Sequence, residues 1–390
     1  MKSAMPQGSY MIFILKRVLL IFLAVTAVLA AIIYGYLQAP LFGALPNGAV
    51  LERIRHSPNA VNDTFQNQVE TPIHTAGSTE MSIWKDMLFG EKGHPRPPAP
   101  IPTQKVDLKA LDRSQDQLVW LGHSSFFIQM NGQRILIDPV LSTNAAPIPY
   151  VNEAFEGASP YSSDDLPDID LLLISHDHYD HLDYPTIKSL RPKIHAVVAG
   201  LGVGAHFRAW GYDTSQIHEV DWYEEVGMGG GLAVSATPAR HFSGRGLEFN
   251  KSLWVGFVLT TSRHRLFFSG DTGYGPHIAE IARRYGPFDW VALDTGQYDP
   301  RWANVHMNPE QAALAAEELH TRVFIPEHVG RFSLAPHDWD DPFKRVSAAS
   351  AGKDYVLFTP LIGQLIHLDR SPPPNSPWWE GVNPIHSPFK

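Results

Sequence analysis

No cysteine occurs among the 390 residues. That absence removes disulfides, thiolate metal ligands and a lipid-modified cysteine together, so any metal must rest on imidazole and carboxylate groups. Charge is sparse as well: Asp, Glu, Lys and Arg make up 18% of the chain, with a formal net charge of −9. There is no long run of Lys or Arg, which argues against nucleic acid as a partner, since its binders cluster basic residues on one face. The G-x-S-x-G elbow of a serine hydrolase is missing, which argues against a covalent serine route. No repeat of the solenoid or propeller kind is present. What the chain does have is a 44% hydrophobic content, enough for a large packed core, and 19 histidines.

The longest apolar run is VLLIFLAVTAVLAAIIYGYL, Val18 to Leu37. About twenty uncharged residues suffice to cross a hydrocarbon layer of roughly 30 Å. Lys16 and Arg17 precede the run, and positive flanks stay in the cytoplasm. This predicts residues 1–17 on the cytoplasmic side, 18–37 as a single-pass transmembrane anchor, and the remainder on the far, periplasmic side of an inner membrane. A cleaved signal peptide is the alternative, but its apolar core would be shorter. Here the run passes Ala24, Ala27, Ala30 and Ala31 and continues through Ile32, Ile33 and Tyr34. Residues 38–115 are polar and irregular, and HPRPPAPIP (His94–Pro102) is a stiff proline segment. They read as a stalk that wraps onto the next domain, with disorder as the alternative for the first half. The catalytic domain is expected over 116–370, followed by a loose, proline-rich tail over 371–390.

Within that domain, QLVWLGHSSFFIQM, Asn131-Gly132 and QRILID form a β-hairpin pattern. IDLLLIS (169–175) is a continuous apolar strand of the kind buried on both faces. Further strands are expected at 195–199, 232–238, 252–261, 265–270, 288–294, 322–326, 355–359 and 364–368. Helices are expected at Tyr184-Pro185, over 277–286, and from Asn308-Pro309 to about His320, each with a start or stop signal.

The chemistry concentrates directly after the apolar strand, where ISHDHYDHLD spells H-x-H-x-D-H with His176, His178, Asp180 and His181. A strand end is a rigid launching point, so His176 and His178 can converge on one ion while Asp180 and His181 turn to a second. Imidazole and carboxylate suit a borderline divalent ion such as zinc, and also Mn2+ or Fe2+. Three more candidates follow apolar strands: His241 after LAVSATPAR, Asp271 after RLFFSG, and His328 after RVFIPE. One such residue alone means little; together they repeat one placement, the C-terminal ends of strands, where α/β sheets carry their chemistry. Asp177 and Asp183 flank the ligands as supporting carboxylates, or as solvated loop residues.

The order H-x-H-x-D-H, His, Gly-Asp-Thr-Gly (270–273), His resembles the metallo-β-lactamase superfamily. WLGHSSF (120–126), ISHDHYDHLDY (174–184), ATPARHFSGR (236–245), FFSGDTGYGP (267–276), YGPFDWVAL (285–293), YDPRW (298–302) and VHMNPEQA (305–312) are similar to N-acyl-phosphatidylethanolamine-hydrolysing phospholipase D and its bacterial relatives, over roughly residues 82–368. The resemblance implies an α/β fold, the αββα sandwich, here with an added N-terminal transmembrane helix. It implies two Zn2+, one on His176, His178 and His241, the other on Asp180, His181 and His328, with Asp271 bridging. It implies supporting or pocket roles for Asp138, His123 and His306, and a homodimer. Lactonases of the same superfamily share several of these motifs.

Two divalent ions close together lower the pKa of a shared water toward neutrality, which predicts attack by a metal-bound hydroxide. Asp271 would fix the separation of the ions, the second oxygen of Asp180 would orient the nucleophile, and His306 would bond a phosphate or steady a leaving alkoxide. Three functions remain open. One is a phosphodiesterase of the phospholipase D type acting on N-acyl-phosphatidylethanolamine or a related lipid, with the bilayer as partner. The second is a lactonase or ester hydrolase on a soluble substrate. The third is a binding protein on a dead fold, which the complete ligand order disfavours. Apolar pocket walls would favour the lipid, and a small polar pocket with basic residues a phosphosugar lactone. Trp222, Tyr223, Trp254, Tyr274, Tyr298 and Trp302 are candidates for an acyl groove or for core and rim packing.

Overall fold

The computed structural model describes residues 7–90 and 93–383. The first six residues of the expected cytoplasmic segment and positions 384–390 of the tail lie outside that range. Helix α1 (Gln7–Leu37) opens the chain, and its portion Tyr10–Leu37 is long and apolar enough to cross a membrane. It begins well before Val18. Lys16 and Arg17 are accommodated within it because long basic side chains reach outward along the helix; the Arg17 guanidinium lies 4.2 Å from the Phe13 ring centroid.

After α1 come α2 (Gly48–His56), the short hairpin β1 (Ala60–Val61) and β2 (Thr64–Phe65), and α3 (Glu80–Phe89). The sequence pattern of this segment is weak because each element buries at most one of its described residues. Ile54 of α2 and Phe65 of β2 are nevertheless fully buried against the body.

Two seven-stranded sheets face each other. The first contains β3 (Gln117–Gly122), β4 (Ser125–Met130), β5 (Gln133–Ile137), β6 (Ile169–Ile174), β7 (Ile194–Gly200), β8 (Ile217–Val220) and the late strand β16 (Leu365–His367), in the order β16-β3-β4-β5-β6-β7-β8. The second contains β9 (Glu225–Gly227), β10 (Ala233–Pro238), β11 (Val255–Thr260), β12 (Arg265–Phe268), β13 (Phe288–Asp294), β14 (Thr321–Glu327) and β15 (Val356–Leu357), ordered β15-β14-β13-β12-β11-β10-β9. Each sheet has an antiparallel part and a parallel part, β5 to β8 and β12 to β15. Parallel neighbours need a crossover. A long loop supplies it between β5 and β6, and helices supply the others: α4 (Tyr184–Leu190) and α5 (Gly204–Ala209) on one side, α6 (His277–Tyr285), α7 (Pro309–Glu318) and α8 (Asp341–Ala349) on the other.

The layers follow from strand alternation. In β4, Phe126, Ile128 and Met130 pack between the sheets with Phe257, Phe268 and Trp290. Phe127 points the other way and packs with Ile187, Leu190 and Phe207 of the helices. On the far side Phe267, Val291 and Phe324 pack under Ile278, Ala312 and Val346. The result is an αββα sandwich.

Two expectations need correction, and four elements of the sandwich enter without one. QLVWLGHSSFFIQM is two strands, because Gly122 (φ 93°) and His123 (φ 56°) turn left-handed, and the Trp120 indole fastens the turn by donating to the His123 carbonyl at 2.8 Å. The elements α5, α8, β8 and β9 had no sequence forecast; they are short and at least partly amphipathic or edge-like. The tail is not loose over its described part: Trp379 is buried and stacks on Phe343 at 5.1 Å, and Asn375 accepts from the Thr359 N–H at 2.8 Å.

Candidate metal centre

The site forms where strands of both sheets end. β6 releases Ser175 and then the loop 176–183, which folds back on itself as the His181 and Leu182 N–H groups donate to the His178 carbonyl at 3.1 and 2.8 Å. Asp183 caps α4, accepting from Thr186 and from the Ser142 hydroxyl, and so fixes where the loop leaves. From the second sheet, His241 follows β10, Asp271 follows β12, Asp294 closes β13 and His328 follows β14.

The seven expected ligands converge in two groups, His176, His178, His241 and Asp271 in one and Asp180, His181 and His328 in the other, where His123 joins them. In the first, His176 Nε2 lies 2.9 Å and His241 Nε2 3.2 Å from His178 Nδ1. In the second, His328 Nε2 lies 3.1 Å and His181 Nε2 3.4 Å from Asp180 Oδ2. Asp271 stands between them, with Oδ1 3.1 Å from His181 Nε2 and Oδ2 3.3, 3.6 and 3.7 Å from the Nε2 atoms of His328, His241 and His176.

The supporting carboxylates behave differently from one another. Asp138 accepts from His181 Nδ1 at 2.9 Å and from the Ser175 N–H at 2.8 Å, so it sets the ring orientation. His123, fully buried, places Nε2 2.9 Å from Asp180 Oδ2 and holds that carboxylate. Asp177 points away from the ligands, to the Gly244 N–H at 2.7 Å, the Ser252 hydroxyl at 2.8 Å and His206 Nε2 at 3.3 Å. Asp183 is occupied with the α4 cap. These two are therefore loop and helix supports; their oxygens have partners elsewhere. His123, Asp138 and His328 all have left-handed backbone, φ 56°, 40° and 64°.

His306 is half-buried beside the cluster. Its Nδ1 lies 2.9 Å from Asp294 Oδ2, and its ring stacks on His328 with centroids 5.0 Å apart. Asp294 also lies 3.4 Å from His328 Nδ1 and accepts from the Thr272 N–H at 3.0 Å. It was missed in the sequence, although it ends an apolar strand as the recognised ligands do. Asn67 was missed too: its side chain donates to the His241 carbonyl at 2.8 Å and accepts from the His241 N–H at 3.1 Å.

Burial and charge pull the groups apart electrostatically. Burial holds His176, His178 and His241 below the ordinary histidine range, leaving neutral imidazoles. Burial alone would lower His181 and His328 too, but Asp271 and the other carboxylates around them prevail, raising His181 well above that range and His328 to about 10. Burial would raise Asp271; the charges of His181 and His328 outweigh it and hold it low. Burial raises Asp138. The donors fit metal ions. Ligands about 2 Å from a tetrahedral ion stand roughly 3.3 Å apart, as these do. The buried atoms His181 Nε2 and Asp271 Oδ1 also lack a hydrogen-bond partner among the described residues.

Above the cluster lies a cavity of about 270 Å³. His178, Asp180, His241, Asp271, His306 and His328 form its floor, and Ile73, Ile83, Phe242, Trp302, Val305 and Leu334 its wall. Ile73 and Ile83 come from the segment between the apolar helix and the sandwich. Of the aromatic residues considered for a groove, Trp302 lines the cavity. Trp222 and Trp254 are sandwich core, and Tyr298 stacks on His337.

A model of the beta-lactamase superfamily domain matches residues 133–329. An uncharacterised Mycobacterium tuberculosis protein is 36% identical over 327 residues, covering 83% of this chain and 87% of its own length. The N-acyl-phosphatidylethanolamine-hydrolyzing phospholipase D 1 of Caenorhabditis elegans is 32% identical over 232 residues, 56% of this chain and 65% of its own. Among solved structures, the metallo hydrolase Igni18 of Ignicoccus hospitalis superposes with a TM-score of 0.51 at 21% identity, covering 65% of this chain and 97% of that one.

Proposed function

The chain belongs to the metallo-β-lactamase superfamily and is a metal-dependent hydrolase, and on that premise we propose that it is a two-metal phosphodiesterase of the phospholipase D type. Its substrate in this reading is a membrane phospholipid, with N-acyl-phosphatidylethanolamine foremost. The cavity carries the reading. Its wall over the ligand cluster is mostly apolar, with His74 and Gln297 the polar exceptions, and its described lining contains no Lys or Arg. That suits an acyl-bearing substrate, whereas a phosphosugar lactone calls for cationic groups. The printed activity of the Caenorhabditis elegans relative is of the same class.

His176, His178 and His241 would hold one ion and Asp180, His181 and His328 the other, with Asp271 in contact with both groups. When bound, a pair of divalent ions, Zn2+ foremost, supplies a water of lowered pKa and polarises the scissile phosphoryl group. The chain does the rest. His123 pins Asp180 Oδ2, which leaves Oδ1 to orient the attacking water. Asp294 accepts a hydrogen bond from His306 Nδ1–H, which turns Nε2 toward the substrate; when the ring carries its second proton, Nε2–H bonds a phosphoryl oxygen or gives that proton to the leaving alkoxide. Ile73, Phe242 and Trp302 seat the lipid and exclude bulk water. The products are phosphatidic acid and the amide-bearing alcohol. In the same reading α1 is a retained single-pass anchor that keeps the site beside its lipid, raising the local substrate concentration.

Purified full-length protein loaded with Zn2+ or Mn2+ and presented with the N-acylated lipid in mixed micelles should release phosphatidic acid. Efficient opening of a lactone panel with no phosphatidic acid would overturn the assignment in favour of a lactonase.

A further inference from the structure

Isolated apolar side chains on a surface are ordinary. Here they are gathered where α1 leaves the body. The loop 146–151, Ala-Pro-Ile-Pro-Tyr-Val, exposes Ile148 (56%), Tyr150 (87%) and Val151. The loop 245–250 exposes Leu247 (80%) and Phe249. Both are tied to the end of the helix. The Tyr36 hydroxyl donates to the Pro147 carbonyl at 2.5 Å. The Arg245 guanidinium donates to the Leu41 carbonyl through Nε at 3.1 Å and Nη2 at 2.6 Å, and the Trp210 indole donates to the Pro40 carbonyl at 2.7 Å. Leu37 and Leu247 line the same hollow.

From this geometry we propose that the two loops form a second membrane contact, inserting into the lipid head-group layer on either side of the anchor. The inference rests on the reading of α1 as a retained span. Tyrosines near the end of a span lie at the membrane–water boundary, and Tyr34 and Tyr36 occupy that place. A loop bonded to Tyr36 is therefore at the same level, and its exposed Ile148 and Tyr150 have lipid within reach. Pro147 and Pro149 stiffen that loop, so presenting these side chains costs little ordering entropy. In the other loop the carboxylate of Glu248 lies 3.8 Å from Lys251, which offsets its charge. The span is long enough to allow this seating. Its 28 residues extend roughly 42 Å at 1.5 Å per residue, more than the hydrocarbon layer needs.

The contact also orients the active site. Asn152, next to Val151, lines a cleft of about 530 Å³ together with Asp86 and Gly90, and that cleft shares Trp302 and Leu334 with the metal cavity. With loop 146–151 in the head groups, the cleft opens beside the bilayer, and a lipid reaches the metals without crossing bulk water.

The absence of native cysteine makes the test clean. Single-cysteine variants Tyr150→Cys, Leu247→Cys and, as a distant exposed control, Arg283→Cys would each carry one fluorophore on the full chain in phosphatidylethanolamine–phosphatidylglycerol vesicles. Lipid-borne nitroxide should quench the probes at 150 and 247, and aqueous iodide should quench them about threefold less than the probe at 283. Equal iodide quenching at all three sites, on a chain that stays with the vesicles, overturns the contact. Protection from iodide without nitroxide quenching also overturns it, and indicates burial against a second copy or another protein. A chain mass lacking α1 overturns the anchor reading itself. None of these outcomes depends on hydrolysis, so failure of the phospholipase reading is seen separately.

Discussion

The ring of His306 stacks on that of His328, centroids 5.0 Å apart and planes 16° from parallel, so a residue outside the ligand set leans on one inside it. Asp294 touches both. Loss of His306 leaves His328 beside Asp294, whose carboxylate lies 3.4 Å from its Nδ1, whereas loss of the Asp294 carboxylate affects both rings. His306→Ala should keep its metal and lose about 10²-fold or more in turnover. Asp294→Asn should lose turnover and part of the metal. Elemental analysis beside phosphatidic acid release checks both, and metal loss in His306→Ala would show that the residue is misplaced.

Two ions per chain are expected by elemental analysis. His176→Ala or Asp271→Ala should remove at least one of them and nearly all hydrolysis. Chelation should do the same and lower the melting temperature, since a ligand bound only to the folded state stabilises it. Full activity in a metal-free Asp271→Ala protein would refute the assignment.

Asp138 acts through His181. In Asp138→Asn one oxygen becomes an NH2 that cannot accept from the His181 ring, so metal affinity should fall by about 10- to 100-fold. A competition titration against a coloured chelator measures this, with the first ion less affected than the second.

Asn67→Ala should leave the His241 N–H and carbonyl without their partners, at a cost of about 1–3 kcal/mol for a buried polar group. Denaturant unfolding reads that loss, and a raised metal dissociation constant reports the loosened His241. A variant with unchanged stability and affinity would show that the clamp has no energetic weight.

By the positive-inside rule, Lys16 and Arg17 near the start of the apolar helix predict that everything after Leu37 lies on the far side of the membrane. A C-terminal reporter active only outside the cytoplasm should give a signal. A signal seen only from a cytoplasm-active reporter reverses the orientation.

The seven convergent residues were legible because each follows a run of apolar residues that can only be a buried strand, and strand ends bring distant positions together. Asp294 obeys the same rule, but a carboxylate at the end of an apolar strand is no signal by itself, and only its approach to His306 and His328 in the fold marks it. Asn67 had no such signal. It lies 174 positions from His241, in the polar stretch between β2 and α3. Ile73 and Ile83 were hidden for the same reason. The turn at Gly122 and His123 was masked by unbroken hydrophobicity on both sides; only the left-handed backbone, which sequence pattern does not report, divides the strand there.

That left-handed backbone recurs at His123, Asp138 and His328. Side chains at such angles cost of order 1–3 kcal/mol each, and a domain's net stability is only about 5–15 kcal/mol. Fitness at this place has therefore pulled in two directions, toward a geometry that grips ions and away from the most relaxed chain. A consensus or design procedure that scores the apoprotein for thermostability will tend to replace these three residues with glycine or asparagine. It would deliver a sturdier sandwich that had forgotten its trade.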